Sequence, residues 1–216
     1  MTKRSDIIDG NSATGRKYGL IYTKKCGWID LGHANPTGAN SLWQQILNEK
    51  DSGGSKQGYF RVTYKQMMGR KNLFKIGVLK KYEIKKGLDN NQKKSVALSI
   101  FLDVSHAFEG LQSNWLFRKV TNSGYSAEDL VSNLISFYRA VYPHKQFIPL
   151  CDPVSESVAL DIWDKYGEVG TNKNHSTTPY IYPIPPSEKA PTSAQLPIEL
   201  NSIKPAKQGP LFKEVK

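Results

Sequence analysis

Short apolar or alternating runs mark much of residues 17–78, interrupted by one stretch at helical spacing, and helical spacing then governs residues 95–166. KYGLIYT (17–23) and GWIDLG (27–32) are aromatic and β-branched, which predicts two short strands joined by a turn at Lys24, Lys25 and Cys26. Ala39, Leu42, Trp43, Ile46 and Leu47 predict a helix over 36–49, with Pro36 near its start and the flexible DSGGSKQG after it. Phe60, Val62 and Tyr64 alternate with Arg61, Thr63 and Lys65, and Phe74, Ile76 and Val78 with Lys75 and Gly77. These predict two strands that turn their basic side chains outward.

From Ser95 to Gln112, Val96, Ala97, Ile100, Phe101, Val104, Ala107, Phe108 and Leu111 fall on one broad face, with Asp103, His106 and Gly110 opposite and Glu109 on the flank. A third helix is expected from Ser126 to about Tyr142, Ser126 capping it and Asp129 answering three residues on. A fourth should follow Asp152 and Pro153, with Val158, Ala159, Ile162, Trp163 and Tyr166 inward and Gly167 as its stop. Eight of the twelve prolines lie between Pro179 and Pro210, which forbids a helix or a central strand there. The expected fold class is α+β: a small antiparallel sheet packed on three to four helices. A flexible N-terminus (1–16) should precede one domain (17–175), and a proline-rich arm or tail (176–216) should follow it.

Composition adds compartment and partners. With 216 residues and 38% hydrophobic side chains the chain can bury a core without covalent staples, and two cysteines neither demand nor exclude an oxidising compartment. No run reaches the roughly 20 apolar residues of a membrane span. No apolar segment follows the basic start, so export is expected, if at all, by a route other than an ordinary signal peptide. The net charge is +11, and residues 61–94 carry eleven basic against two acidic side chains. That segment suits a solvated surface equally well as a polyanionic substrate, a nucleic acid or an acidic partner protein such as a cognate inhibitor. Within it Lys80, Lys81 and Lys85 are candidate binding residues.

Candidate chemistry gathers in KKCGWIDLGHANP (24–36), where Cys26, Asp30 and His33 lie at the end of an expected strand. Seven extended residues span about 23 Å at roughly 3.3 Å each, so Cys26 and His33 pair only if the strand breaks. A Cys26 nucleophile would need His106 or His175 as its base. Cys151, before an expected helix N-terminus, offers a papain-like alternative in permuted order with His33. His106 and Glu109, three apart, share one side of a helical turn and could divide base and acid work. Glu128, Ser132 and Asn133 remain as binding residues once Ser126 and Asp129 are assigned to a cap. No H-E-x-x-H or C-x-x-C occurs, so a metal would have to be assembled from Asp30, His33, His106 and Glu109 across distant segments. Neither GxGxxG nor GxxxxGK is present; no cofactor is expected.

YGLIYTKKCGWIDLGH (18–33), SHAFEGLQSNW (105–115) and GYSAEDLVSNLISFYRAVY (124–142) together resemble an uncharacterised bacterial domain family. Its members, often on envelope-associated proteins, carry GG-F-I-D-x-G-H and later S-x-E-D-L-x-S-N-L. The resemblance implicates Asp30, His33, Glu109, Glu128, Asp129 and Asn133, and Cys26 stands where the family tends to have glycine. It lends no activity. The function expected is a toxin- or effector-like hydrolase acting on cell-envelope polymer, with Glu109 as acid or base and His33 with Asp30 positioning or polarising. Alternatives are a cysteine hydrolase, a basic nucleic-acid binder or nuclease stacking bases on Tyr59, Phe60, Tyr64 and Tyr82, and a non-catalytic interaction module.

Overall fold

A computed structural model describes residues 2–68, 76–113, 126, 128–169 and 173–216. Phe74, the basic residues Arg70, Lys71 and Lys75, and residues 114, 115, 124, 125 and 127 of the two later motifs lie outside the described residues. The fold is α+β, with helices and small antiparallel sheets. The chain divides into two compact units, each of two stretches: Met1–Pro36 with Gln112–Asn201, and Thr37–Leu111 with Ser202–Lys216.

The first unit starts from a hairpin of β1 (Leu20–Thr23) and β2 (Gly27–Asp30), in register from Leu20 opposite Asp30 to Thr23 opposite Gly27. Gly27 closes the turn at φ +68°, and a Cβ there would stand 2.4 Å from the Tyr180 carbonyl oxygen, so both conformation and space require glycine. Leu20, Tyr22 and Trp28 join Ala159, Ile162 and Trp163 in the core, where the Trp28 and Trp163 rings meet edge to face at 5.9 Å. These last three residues lie on α4 (Glu156–Tyr166); α3 (Asp129–Val141) precedes it. Ser155 caps α4 and Gly167, at φ +82°, stops it.

Residues 2–16, expected to be loose, are tied down. Ile7 is buried and bridges Leu20, the Gly10 N–H donates to the Val154 carbonyl (3.0 Å), and Arg4 pairs with Asp164 (2.7 Å). Alternation and helical period are silent on such contacts, because the segment packs by single residues. The proline-rich stretch forms a two-stranded ribbon of β5 (Tyr180–Ile181) and β6 (Thr192–Ser193). The Tyr22 hydroxyl holds this stretch by both sides of one residue, donating to the Tyr182 carbonyl (2.6 Å) and accepting from the Tyr182 N–H (2.7 Å). Burial pushes the Tyr22 phenol above its ordinary range, which keeps that donor protonated.

In the second unit β3 (Tyr59–Met68), β4 (Ile76–Lys85) and β7 (Phe212–Val215) form an antiparallel sheet in the order β3-β4-β7. Its buried face carries Phe60, Val62, Tyr64, Tyr82, Ile84 and Phe212. α1 (Thr37–Leu47) packs on β3, and α2 (Asn90–Ser113) buries Val96, Ala97, Ile100, Phe101 and Val104. α2 begins five residues before the expected Ser95, because Asp89 and Gln92 form a reciprocal cap: Asp89 Oδ1 accepts from the Gln92 N–H (2.9 Å) and Gln92 Oε1 from the Asp89 N–H (3.1 Å).

Tyr22→Phe removes the hydroxyl that both donates to and accepts from the backbone of Tyr182. The expected loss is about 1–3 kcal/mol, read as a lower urea midpoint at unchanged slope.

Candidate functional site

The loop after β2 is shaped by Asp30. Its Oδ1 accepts from the backbone N–H of Gly32 (2.7 Å) and of His33 (3.4 Å), a local turn that starts at the strand end and presents the imidazole. Helix α3 holds this loop through a buried polar stripe. Ser132 Oγ accepts from the Asp30 N–H (3.0 Å), Ser136 Oγ donates to the Asn35 carbonyl (2.9 Å), and Arg139 Nη1 donates to the Ala34 carbonyl (2.7 Å). Asp129 begins the stripe, its Oδ1 3.2 Å from His33 Nδ1 and its Oδ2 accepting from the Ser126 N–H (2.9 Å). Spacings of three, four and three residues along α3 bring these side chains to one face of the helix.

Electrostatics distinguish the three carboxylates of this unit's site. The Asp129 side chain is 5% exposed while His33 is 36% exposed, so of this pair the imidazole is the member that reaches solvent. Glu128 is buried; its Oε1 accepts from Thr2 Oγ1 (3.2 Å), and its Oε2 has no hydrogen-bond partner among the described residues. Burial above all, then the neighbouring Asp129 charge and more weakly Asp30, push the Glu128 carboxyl up to about 8, against an opposing pull from His33. Such a carboxyl carries its proton at neutral pH. The site therefore holds a histidine anchored on a carboxylate beside a carboxylic acid, the two ingredients of general acid–base catalysis. His33 Nδ1 and Asp129 Oδ1 are also atoms of the kind that ligate a divalent cation.

The structure thus gathers Asp30, His33 and Glu128 around the start of α3, with Asn133 half-buried on the same helix. Glu109, fully buried, and His106, half-buried, belong to α2 in the second unit. Helical spacing put Glu109 on the flank of the polar side; the helix instead buries it along with Ser105. Cys26 lies at the hairpin turn of the first unit, buried beside Cys151, which ends a 3-10 turn (Pro149–Cys151) rather than standing at the start of α4. A hydrogen bond with the Cys26 thiol, together with burial, drives the Cys151 thiol up, the reverse of what a thiolate nucleophile needs. Lys80 sits between Asp103 (2.8 Å) and Glu214 (3.2 Å), whereas Lys81 and Lys85 are exposed on the opposite face of β4. Phe60, Tyr64 and Tyr82 are buried, so of the four rings considered for base stacking Tyr59 alone stands partly outward.

No protein family, curated protein or solved structure matches this chain.

Spacing made Ser126 the N-cap and Asp129 its reciprocal partner, but α3 starts at Asp129 itself with Glu128 before it and no side-chain cap; Asp129 accepts from the Ser126 N–H with one oxygen and meets His33 with the other. Ser136 and Arg139 had no assigned role. The signal that finds them is the recurrence of polar residues at 129, 132, 136 and 139 within a helix that is apolar elsewhere save Asn133 and Tyr138.

A carboxyl that keeps its proton to about pH 8 when folded and loses it near its ordinary 4.5 when unfolded contributes its full stability below pH 4.5. That contribution declines as pH rises and is gone above about 8. Chemical denaturation at pH 5 and pH 9 should therefore show wild type losing on the order of a few kcal/mol more than Glu128→Gln.

Proposed function

We propose that this chain is a bacterial hydrolase, of the toxin or effector kind, that cleaves a cell-envelope polymer by histidine–carboxylate acid–base chemistry. The observation that carries the reading is the pairing of His33 Nδ1 with Asp129 Oδ1 at 3.2 Å, beside a Glu128 carboxyl that keeps its proton at neutral pH. Asp129 fixes the ring and stabilises the imidazolium as it forms. His33 takes a proton through Nε2 from the water that attacks the substrate. Glu128 gives its proton to the leaving group as the scissile bond breaks, and proton return from His33 through solvent resets both. Asp30 sets the loop, so its role is positioning. The resemblance to an envelope-associated family supports the same three residues, and the net charge of +11 suits an acidic wall polymer. The buried rings of β3 and β4 favour this reading over nucleic-acid stacking.

Purified cell envelopes incubated with the chain should release soluble fragments. His33→Ala and Glu128→Gln proteins that remain folded should release them about 10²–10⁴ times more slowly. Expression with an added export signal should arrest a bacterial host from the periplasm, and His33→Ala should abolish the arrest. Arrest from the cytoplasm instead would redirect the assignment to nucleic acid or an intracellular substrate. Wild-type release by both variants would overturn the chemistry.

A further inference from the structure

Cys26 and Cys151 are far apart in sequence and adjacent in the fold. Residues 22–25 run antiparallel to residues 151–154. The Val154 N–H donates to the Tyr22 carbonyl (3.1 Å), Thr23 bridges Pro153, the Lys24 N–H donates to the Asp152 carbonyl (2.9 Å), and the Lys25 N–H to the Cys151 carbonyl (3.0 Å). Cys26 is the next residue along that ladder, and its own N–H is fixed by donation to Thr23 Oγ1 (3.2 Å). The ladder sets Cys151 opposite Lys25, so Cys26 directly follows the residue that Cys151 faces, and a disulfide spans roughly 4.4–6.8 Å between Cα atoms. The two thiols interact with each other, and both residues are essentially inaccessible at 1% and 0% exposure. The Cys151 thiol also donates to the Phe147 carbonyl (3.5 Å).

We propose that Cys26 and Cys151 are a disulfide site, which closes when the chain folds in an oxidising compartment and ties the β1–β2 turn to the segment that leads into α4. The oxidant is a disulfide, either on a thiol–disulfide oxidoreductase or on a small molecule such as oxidised glutathione. One cysteine, as thiolate, attacks that disulfide and forms a mixed disulfide while expelling the first thiolate of the oxidant. The other cysteine attacks the mixed disulfide, forming the intrachain S–S bond and releasing the second thiolate. The chain gives up two protons and two electrons, and the oxidant is reduced to two thiols. Burial of both sulfurs places this exchange during folding or in a local opening of the turn, and afterwards shields the bond from reductants. The loop it closes, residues 27–150, contains β2 and α3, and so the elements that hold His33. The inference does not depend on the hydrolase reading, because it concerns a covalent link and not the substrate.

The full chain is prepared twice, from the reducing cytoplasm and after refolding in a buffer of reduced and oxidised glutathione. Both are denatured and treated with a maleimide without reductant. The cytoplasmic chain should take up the reagent at two sites. The oxidised chain should take up none, should be lighter by two hydrogens, should stay monomeric on a non-reducing gel, and should yield one peptide pair joining Cys26 to Cys151. Its melting midpoint should exceed that of the reduced chain by on the order of 10 °C. Wild type carries this comparison without any variant; Cys26→Ser and Cys151→Ser should each lose both the link and the shift under oxidising conditions. Two thiols still captured after oxidative refolding, covalent dimers in place of the intrachain bond, or equal midpoints for the two preparations would each overturn the proposal.

Discussion

The candidate site depends on a single constraint: a helix that buries polar groups along one face must find partners for them, and here α3 finds them in one loop. Ser132, Ser136 and Arg139 each meet a backbone group between Asp30 and Asn35, and Asp129 meets the side chain of His33. An unmatched hydroxyl or guanidinium in that position would cost a large part of its hydration. The loop is thus held in one register, since a shift by one residue would break several of these bonds together. Arg139 shows the tension most plainly. Its burial lowers the guanidinium pKa, and the Ala34 carbonyl answers one of its donors.

The same logic places Glu128. It is the residue before α3, where a carboxylate would ordinarily gain from the helix N-terminus. Burial and the adjacent Asp129 outweigh that gain and leave a neutral acid. One helix start therefore holds two carboxyl groups in different surroundings. The difference comes from their partners: Asp129 has the Ser126 N–H and His33, whereas Glu128 has the hydroxyl of Thr2.

Local periodicity made the principal elements legible. The aromatic runs before and after Cys26, the spacing of Leu42, Trp43 and Ile46, and the alternation around Phe60 to Tyr64 all correspond to real elements. Boundaries went astray where side chains decided them, as at Asp89 and Gln92, whose mutual cap starts α2 early. For the site, the sequence marked Asp30, His33 and Glu128 by their types and clustering. The pairing of Asp129 with His33 was hidden because the spacing pointed that carboxylate to Ser126, and one sequence does not disclose which of two uses an oxygen has. Outward-facing charge was overstated: Arg61 and Lys213 both reach Glu83, and Lys80 is held by two acids, so part of the basic segment is internally neutralised. Alternation shows which face a lysine takes but not which acid the next strand brings beside it.

The position of β7 bears on synthesis. Phe212 pairs with Ile84 and Val215 with Lys81, so the outer edge of β4 is covered by residues translated after both stretches of the other unit. Until they arrive, β4 offers unpaired N–H and carbonyl groups together with the apolar patch that Phe212 later fills, an invitation to another nascent chain. Vectorial folding can close the β3–β4 hairpin early, but the sheet is complete only after translation has passed through the whole of the other unit. Lys81 and Lys85 are exposed on that same strand, and charges so placed oppose edge-to-edge association.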